Sequence, residues 1–574
     1  MSQDAEIAGH CRNLFSDCTD RLGVLAARWN TTRTQVALTV VLAALSRQTA
    51  DGATHVRAGE GASVRLAFPP GLPLGEAAGR IGRQLAGATR ITATTPNPES
   101  DFPEQIELEI GPGEDGGLAL RGTCAQRQMD RLVHALRHEY RPESTVREVP
   151  VACPADEEDL LTWERNPAPA PATTLDRAFA RIARACPGRT AVQFPVGPGE
   201  APAARRLTYG QAEAEAMRLA SVLVKAGVQL GEPVVVVCEN VARTVVDQLA
   251  VFKAGAVCVP VGRVTPEQAR GIAALSGARW ALCDAASRSV WERHCRVLGV
   301  PRVVPGRDEP PVEGSLPRSD FSEAAFLLVE GGTRRPLRAQ LSAHTAWTSA
   351  IAARIQRVGH VSAEVVTGGD PAGPVALSAM WWAFACGARL RPLGSEDPLA
   401  LPWVPRRASR GPDPDALFSP EWYRRLLDTL DPAGRLETFR SVVVCGAPCS
   451  ADLVKQHFAR SSDTRLLAEF AGDGGPLPWT ARELAPADAE CRLLPGAGRP
   501  SANVHVRVLD ESGRSLPPGL MGEVCAEGSA LPHELLLRDG TVVRSLSDHT
   551  LRSGRLGQLR MDGSLELADG LPLG

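Results

Sequence analysis

A chain of 574 residues, 44% hydrophobic and 22% charged, is too long for one core and is expected to fold as two or more globular domains. A net charge of −3 argues against a nucleic-acid or acidic-membrane partner. The longest apolar run, Val36 to Leu45, is too short to span a bilayer and no signal-peptide pattern precedes it, so a cytoplasmic protein is expected.

Before residue 165, LGVLAARWNTTRTQVALTVVLAALSRQ has helical apolar spacing, IELEIGPGEDGGLALRG reads as two strands around a Gly-rich turn, and RQMDRLVHALRHEY is helical again. This is an α+β block. His134 and His138, four apart, would share a helix face as metal ligands sometimes do; no carboxylate motif lies beside them, so a solvated face and no metal site are expected. The Pro/Ala-rich stretch ERNPAPAPATT has linker composition, which divides the chain into 1–164, a linker at 165–174, and 175–574.

After the linker, helices and strands alternate. RLTYGQAEAEAMRLASVLVKAGV is an amphipathic helix stopping at Gly227, EPVVVVCEN a strand, RTVVDQLAVFKAG a helix, AVCVPV and WALCD strands. Strands apolar throughout and separated by helices imply a parallel sheet covered on both faces, so the fold class is α/β. The 14 cysteines are scattered singly, the closest pair being Cys445 and Cys449, and read as reduced, mostly buried thiols.

LTYGQAEAEAMRLASVLVKAGVQLGEPVVVVCEN, LAVFKAGAVCVPV and GRPSANVHVRVLDESGRSLPPGLMGEVCAEG resemble, in order and spacing, the adenylation domains of nonribosomal peptide synthetases, members of the adenylate-forming ligase superfamily. The resemblance runs from about Leu175 to the last residue and implies the large-subdomain core of that fold. The block ending RLVHALRHEY resembles the C-terminal half of a condensation domain, a chloramphenicol-acetyltransferase-like lobe. Under the resemblance, the chain stops near the family's hinge, without the mobile C-terminal subdomain and its Lys.

The resemblance also locates a nucleotide site. The family's phosphate loop, similar to T-S-G-T-T-G-x-P-K-G, aligns here with VEGGTRRPLR and keeps Gly331, Thr333 and Pro336. Val329 and Glu330 replace its Thr-Ser opening, Arg334 its late Gly, and Leu337 and Arg338 its Lys-Gly pair. Glu330 puts an anion where a triphosphate would sit, a repulsion of roughly 1–4 kcal/mol per unit charge at about 4 Å. Arg334, Arg335 and Arg338 could instead bind phosphate bidentately, but a solvated basic loop is the expectation. The family's aromatic adenine platform aligns with Phe470, and its metal-linked acid with Gly474, next to Asp473. The ribose-binding Asp aligns with Arg555, a donor-only cation. The Asp that pairs a substrate ammonium is missing from GPVALSAMWWAFACGARL; Asp370 lies upstream, out of register, and Trp381 and Trp382 read as core or pocket wall.

The expected function is therefore a catalytically impaired adenylation-domain-like protein, a scaffold or accessory in nonribosomal peptide biosynthesis. Gly331, Thr333, Pro336 and Phe470 form its vestigial nucleotide site, with no catalytic residue and no cofactor. Its partner would be a synthetase module, a carrier domain or a small adenylation-domain chaperone. The alternatives are an active divergent ligase that uses ATP and Mg²⁺ on an amino or carboxylic acid, and a folded remnant without a partner.

Overall fold

The computed structural model describes residues 10–568 apart from 14–15, 49–52, 59–62, 86–87, 96–103, 113–117, 165, 194–205, 239–240, 300–315, 318, 321, 333–334, 394–412, 430–438, 462, 473–474, 491–493, 539–540 and 545–549. In the first block, apolar and polar residues alternate along Glu104–Pro112, so Ile106, Leu108 and Ile110 share one buried face. That strand lies inside a six-stranded antiparallel sheet in the order His10–Asn13, Leu118–Thr123, Glu104–Pro112, Arg90–Thr95, Ala53–Arg57, Val64–Ala67. The apolar run from Val36 is the centre of helix Arg33–Arg47, buried from Val36 to Ser46 and capped by the Thr32 hydroxyl. Among the described residues no helix is long and apolar enough to cross a membrane.

The shared face expected for His134 and His138 does not form. Helix Gln126–Arg137 ends before His138, which caps it in extended conformation and packs edge-on against Tyr140 at 5.1 Å.

Residues after the Pro/Ala-rich stretch build three sheets. The eight-stranded one runs Arg296–Gly299, Trp280–Cys283, Pro233–Val237, Val257–Val261, Ala324–Gly332, Arg335–Ala343, His533–Arg538, Thr541–Arg544. As expected from their uninterrupted apolar sequences, Pro233–Val237 and Val257–Val261 are interior, parallel and buried. A nine-stranded sheet, mostly parallel, includes Arg465–Phe470, Ser441–Gly446, Asp415–Phe418, Glu364–Thr367 and Arg389–Pro392 as consecutive neighbours. A four-stranded antiparallel sheet, His505–Leu509, Gly522–Glu527, Leu551–Leu559 and Leu565–Leu567, completes the chain.

Helices start and stop where local chemistry dictates. Thr208 and Gln211 form a reciprocal capping box at the start of Tyr209–Ala226, and Gly227 at φ 101° ends it in the left-handed conformation. Helix Pro374–Cys386 has no polar stripe because it is buried between the sheets; Trp381 and Trp382 are core, and Trp381 Nε1 donates to Gln248 Oε1 at 3.1 Å.

The N-terminal block touches the later residues through both apolar and polar contacts: Val151, Leu160 and Trp163 join the hydrophobic cluster of the later residues, with the Trp163 ring over Gly563. Arg131, buried, donates two hydrogen bonds of 2.8 Å to the buried carboxylate of Asp156, and a third of 2.8 Å to the Pro518 carbonyl. Arg47 reaches Asp510 at 3.0 Å, and Arg514 donates to the Arg147 carbonyl at 2.8 Å. Burial alone would raise the Asp156 carboxyl, but the hydrogen bonds and charge of Arg131 outweigh it and hold it below the usual range.

Removing the acid strands a buried guanidinium. Asp156→Asn should lower stability by about 3–5 kcal/mol, read as a drop in the denaturant midpoint at pH 7. Because the folded carboxyl is depressed, the wild type's advantage over the variant should shrink as pH falls below the usual carboxylate range. A midpoint within error of wild type would show that Asp156 does not hold Arg131.

Candidate functional site

The segment from Phe326 to His344 is not a loop. Strands Ala324–Gly332 and Arg335–Ala343 pair antiparallel as far as Gly332 opposite Arg335. Its sides are buried: Phe326 and Leu328 face one hydrophobic cluster, Leu327 and Ala339 another. The expected solvated basic loop is thus corrected to a strand, held on its far edge by His533–Arg538. Gly331 and Pro336 are strand residues; Thr333 and Arg334 lie outside the described residues. Glu330 sits directly opposite Arg338, two unlike charges across a ladder. Backbone N–H groups engaged in such a ladder cannot also converge on a phosphate.

Phe470 closes strand Arg465–Phe470 and is 3% exposed. Trp479 meets its ring at 5.9 Å in an edge-to-face contact, and the same indole lies so close over Gly472 that a Cβ there would fall 2.3 Å from it. No face of Phe470 is open for a base to stack on. Gly474 and Asp473 lie outside the described residues.

Beside Phe470, the buried Glu469 receives Arg354 Nε at 3.1 Å, Arg354 Nη2 at 2.5 Å and Arg357 Nη1 at 3.2 Å. Arg357 also donates to Ser501 Oγ at 2.9 Å, and the Arg354 guanidinium sits 5.6 Å over the Trp382 ring. Burial would raise the Glu469 carboxyl, but the two arginines outweigh it and keep it below the usual range. Arg354 and Arg357, a turn apart on helix His344–Val358, thereby tie the helix after the hairpin to the strand carrying Phe470. His344 opens that helix; its Nδ1 accepts from Leu175 N at 3.3 Å, and burial depresses its pKa to about 4.

Arg555 occupies the expected ribose position on strand Leu551–Leu559, just after Gly554 at φ 63°. Its backbone N–H donates to Ser553 Oγ at 3.1 Å, and among the described residues its guanidinium makes no hydrogen bond or ion pair. At the three positions that the resemblance gives to a nucleotide, the structure thus has a strand ladder, a covered ring and a cation.

A separate cavity of about 650 Å³ opens between the two large sheets. Cys238 and Gly262 line it directly after strands Pro233–Val237 and Val257–Val261, while Thr367 and Pro392 end Glu364–Thr367 and Arg389–Pro392. The carboxyl ends of four parallel strands thus converge on one hollow, the usual ligand position in open α/β sheets. Asp370, out of register in the sequence, stands at this cavity's rim and accepts from Ala372 N at 2.9 Å.

The sequence profile described as "AMP-binding enzyme" matches residues 179–533. The chain belongs to that family. Phosphinothricin tripeptide synthetase PhsC of Streptomyces viridochromogenes is 30% identical over 415 residues, covering 68% of this chain and 36% of PhsC. PhsB of the same organism is 28% identical over 63% of this chain and 31% of its own length. Bacitracin synthase 3 of Bacillus licheniformis is 24% identical over 68% of this chain, which spans only 6% of that synthase. Among solved structures, the nonribosomal peptide synthetase FmoA3 (S1046A) superposes with a TM-score of 0.72 at 16% identity, over 98% of this chain and 68% of FmoA3. That likeness concerns the fold, which is the mixed α/β core of the adenylate-forming ligases.

Sequence reasoning passed over Trp479 and the Glu469 cluster. Their only signals were a carboxylate immediately before Phe470 and two arginines three apart on an apolar helix.

Glu469→Gln should cost about 3–5 kcal/mol by leaving Arg354 buried without its anion, read by chemical denaturation; a loss below 1 kcal/mol would contradict the geometry. The His344 imidazole is neutral when folded and titrates near 6.5 when unfolded, so the unfolded chain binds more protons between those values. Stability should therefore fall as pH drops from about 6.5 toward 4, by ~3 kcal/mol at most. His344→Asn should flatten that part of the curve.

Proposed function

We propose that this chain is an accessory adenylation-domain-like component of nonribosomal peptide biosynthesis, impaired in ATP-dependent acid activation. The observation that carries the reading is the antiparallel ladder from Ala324 to Ala343, which occupies the place where the family holds a phosphate loop. The covered Phe470 and the Arg555 side chain support it from two other positions. Gly331, Thr333, Pro336 and Phe470 are in this reading a vestigial nucleotide site. The N-terminal block acts as a condensation-like lobe across the 165–174 linker, the whole working in the cytoplasm. The retained scaffold presents a surface to a protein partner: a synthetase module, a carrier domain or a small adenylation-domain chaperone.

The open cavity favours a second reading, an active divergent ligase that takes ATP and Mg²⁺ on an amino or carboxylic acid after the hairpin rearranges. Calorimetry with ATP and Mg²⁺, followed by amino-acid-dependent pyrophosphate exchange, separates the two. The accessory reading expects no heat of nucleotide binding and exchange at background for all twenty amino acids. Exchange clearly above background with any one of them would replace it with the ligase reading.

A further inference from the structure

Two helix faces of opposite charge lie on different parts of the surface, and each carries an exposed apolar side chain among its charges. Helix Leu175–Ala185 buries Leu175, Phe179 and Ala183, and on its other side Arg177, Arg181 and Arg184 recur at helical spacing, all exposed. Helix Tyr209–Ala226 packs beside it and exposes Val222 and Lys225. The Tyr209 N–H donates to the Arg189 carbonyl, so the second helix starts where the first ends and runs back along it. At the far end Arg177 donates to the Ser319 carbonyl at 2.8 Å, and Ser319 and Leu230 both lie against Gly255. The arginines therefore adjoin Val222 and Leu230, 43% and 56% exposed, in one basic and partly apolar face. Glu215 of helix Tyr209–Ala226 is taken up by Arg218, and among the described residues the side chains of Arg181, Arg184 and Lys225 make no hydrogen bond or ion pair.

Helix Pro154–Glu164, which packs on strand His505–Leu509, presents the reverse. Asp156 and Asp159 are bound to Arg131 and Arg127, but Glu157 and Glu158 are exposed, and among the described residues their carboxylates make no hydrogen bond or ion pair. Leu161, a turn further on, lies beside them and is 53% exposed. The difference in charge extends beyond this helix. Residues 1–164 hold 23 acidic against 16 basic side chains, so with a net −3 for the whole chain the remainder is positive.

We propose that the two faces are the halves of one contact between copies of this chain, with helix Pro154–Glu164 of a second copy seated on helices Leu175–Ala185 and Tyr209–Ala226. Glu157 and Glu158 then meet Arg181, Arg184 and Lys225, and Leu161 meets Val222. An acidic helix with a leucine among its carboxylates answers both properties of the basic face; a small anion would leave Val222 and Leu230 in water. The contact joins unlike patches, so it links copies head to tail. Exposed ion pairs contribute little singly and are screened by salt, so the association is weak, reversible and salt-sensitive. The inference does not rest on the accessory reading, since an active ligase would carry the same two faces.

The test is sedimentation velocity of the full chain over a range of concentrations, at about 0.1 M and about 1 M salt. At the lower salt the chain should associate reversibly, and the higher salt should weaken that association at least tenfold. Arg181→Glu with Arg184→Glu, and separately Glu157→Arg with Glu158→Arg, should each give a monomer with the wild-type denaturant midpoint, because these side chains are exposed. Mixed together, the two double variants should form a 1:1 complex, since one keeps the acidic helix and the other the basic face. A chain that stays monomeric at the lower salt overturns the proposal, whether or not it takes up an acidic protein instead. So does association that survives either double variant, or a mixture of the two that stays dissociated.

Discussion

Glu469 is the anion on which the centre of the molecule is organised. A carboxylate this deeply buried survives as an ion only because two guanidiniums face it, and those come from one helix, His344–Val358. The pairing fixes that helix against strand Arg465–Phe470, and through Arg357 and Ser501 it reaches the loop before the four-stranded sheet. The helix begins at the end of strand Arg335–Ala343, so the hairpin's position follows from the same contact. With Phe470 next in sequence to Glu469, the constraint that orders the core also holds the aromatic ring under Trp479.

Arginine's dominance over lysine becomes intelligible in this setting. The chain has 63 basic residues, of which only Lys225, Lys253 and Lys455 are lysines. Arg131 and Arg354 each meet a carboxylate through more than one nitrogen while donating elsewhere to backbone carbonyls. An ammonium offers neither the planar fork nor the reach to satisfy two acceptors at fixed angles.

The parts of the fold legible in the sequence were those set by local pattern. Pro233–Val237 and Val257–Val261 are apolar throughout and flanked by helices, and Tyr209–Ala226 carries its own cap and its own stop. The hairpin was illegible because VEGGTRRPLR contains the glycines, proline and arginines of a loop, while its partners on both edges decide the ladder: Val257–Val261 and, some 190 residues on, His533–Arg538. His138 was misplaced because helix ends depend on one residue's dihedrals. The Glu469 cluster and the cavity gather residues more than a hundred positions apart, and no periodicity links Arg354 to Glu469 or Gly262 to Asp370. The family motifs located the site in the chain without revealing its present shape.

Arg131 stands between two parts of the chain, with Asp156 on one side and the Pro518 carbonyl on the other. Peeling the four-stranded sheet away would strip a hydrogen bond from a buried cation, and Arg47 would lose Asp510 in the same movement. The amides of strands His505–Leu509 and Gly522–Glu527 should therefore open to hydrogen exchange together with helix Gln126–Arg137, as a single cooperative unit whose members lie nearly four hundred residues apart.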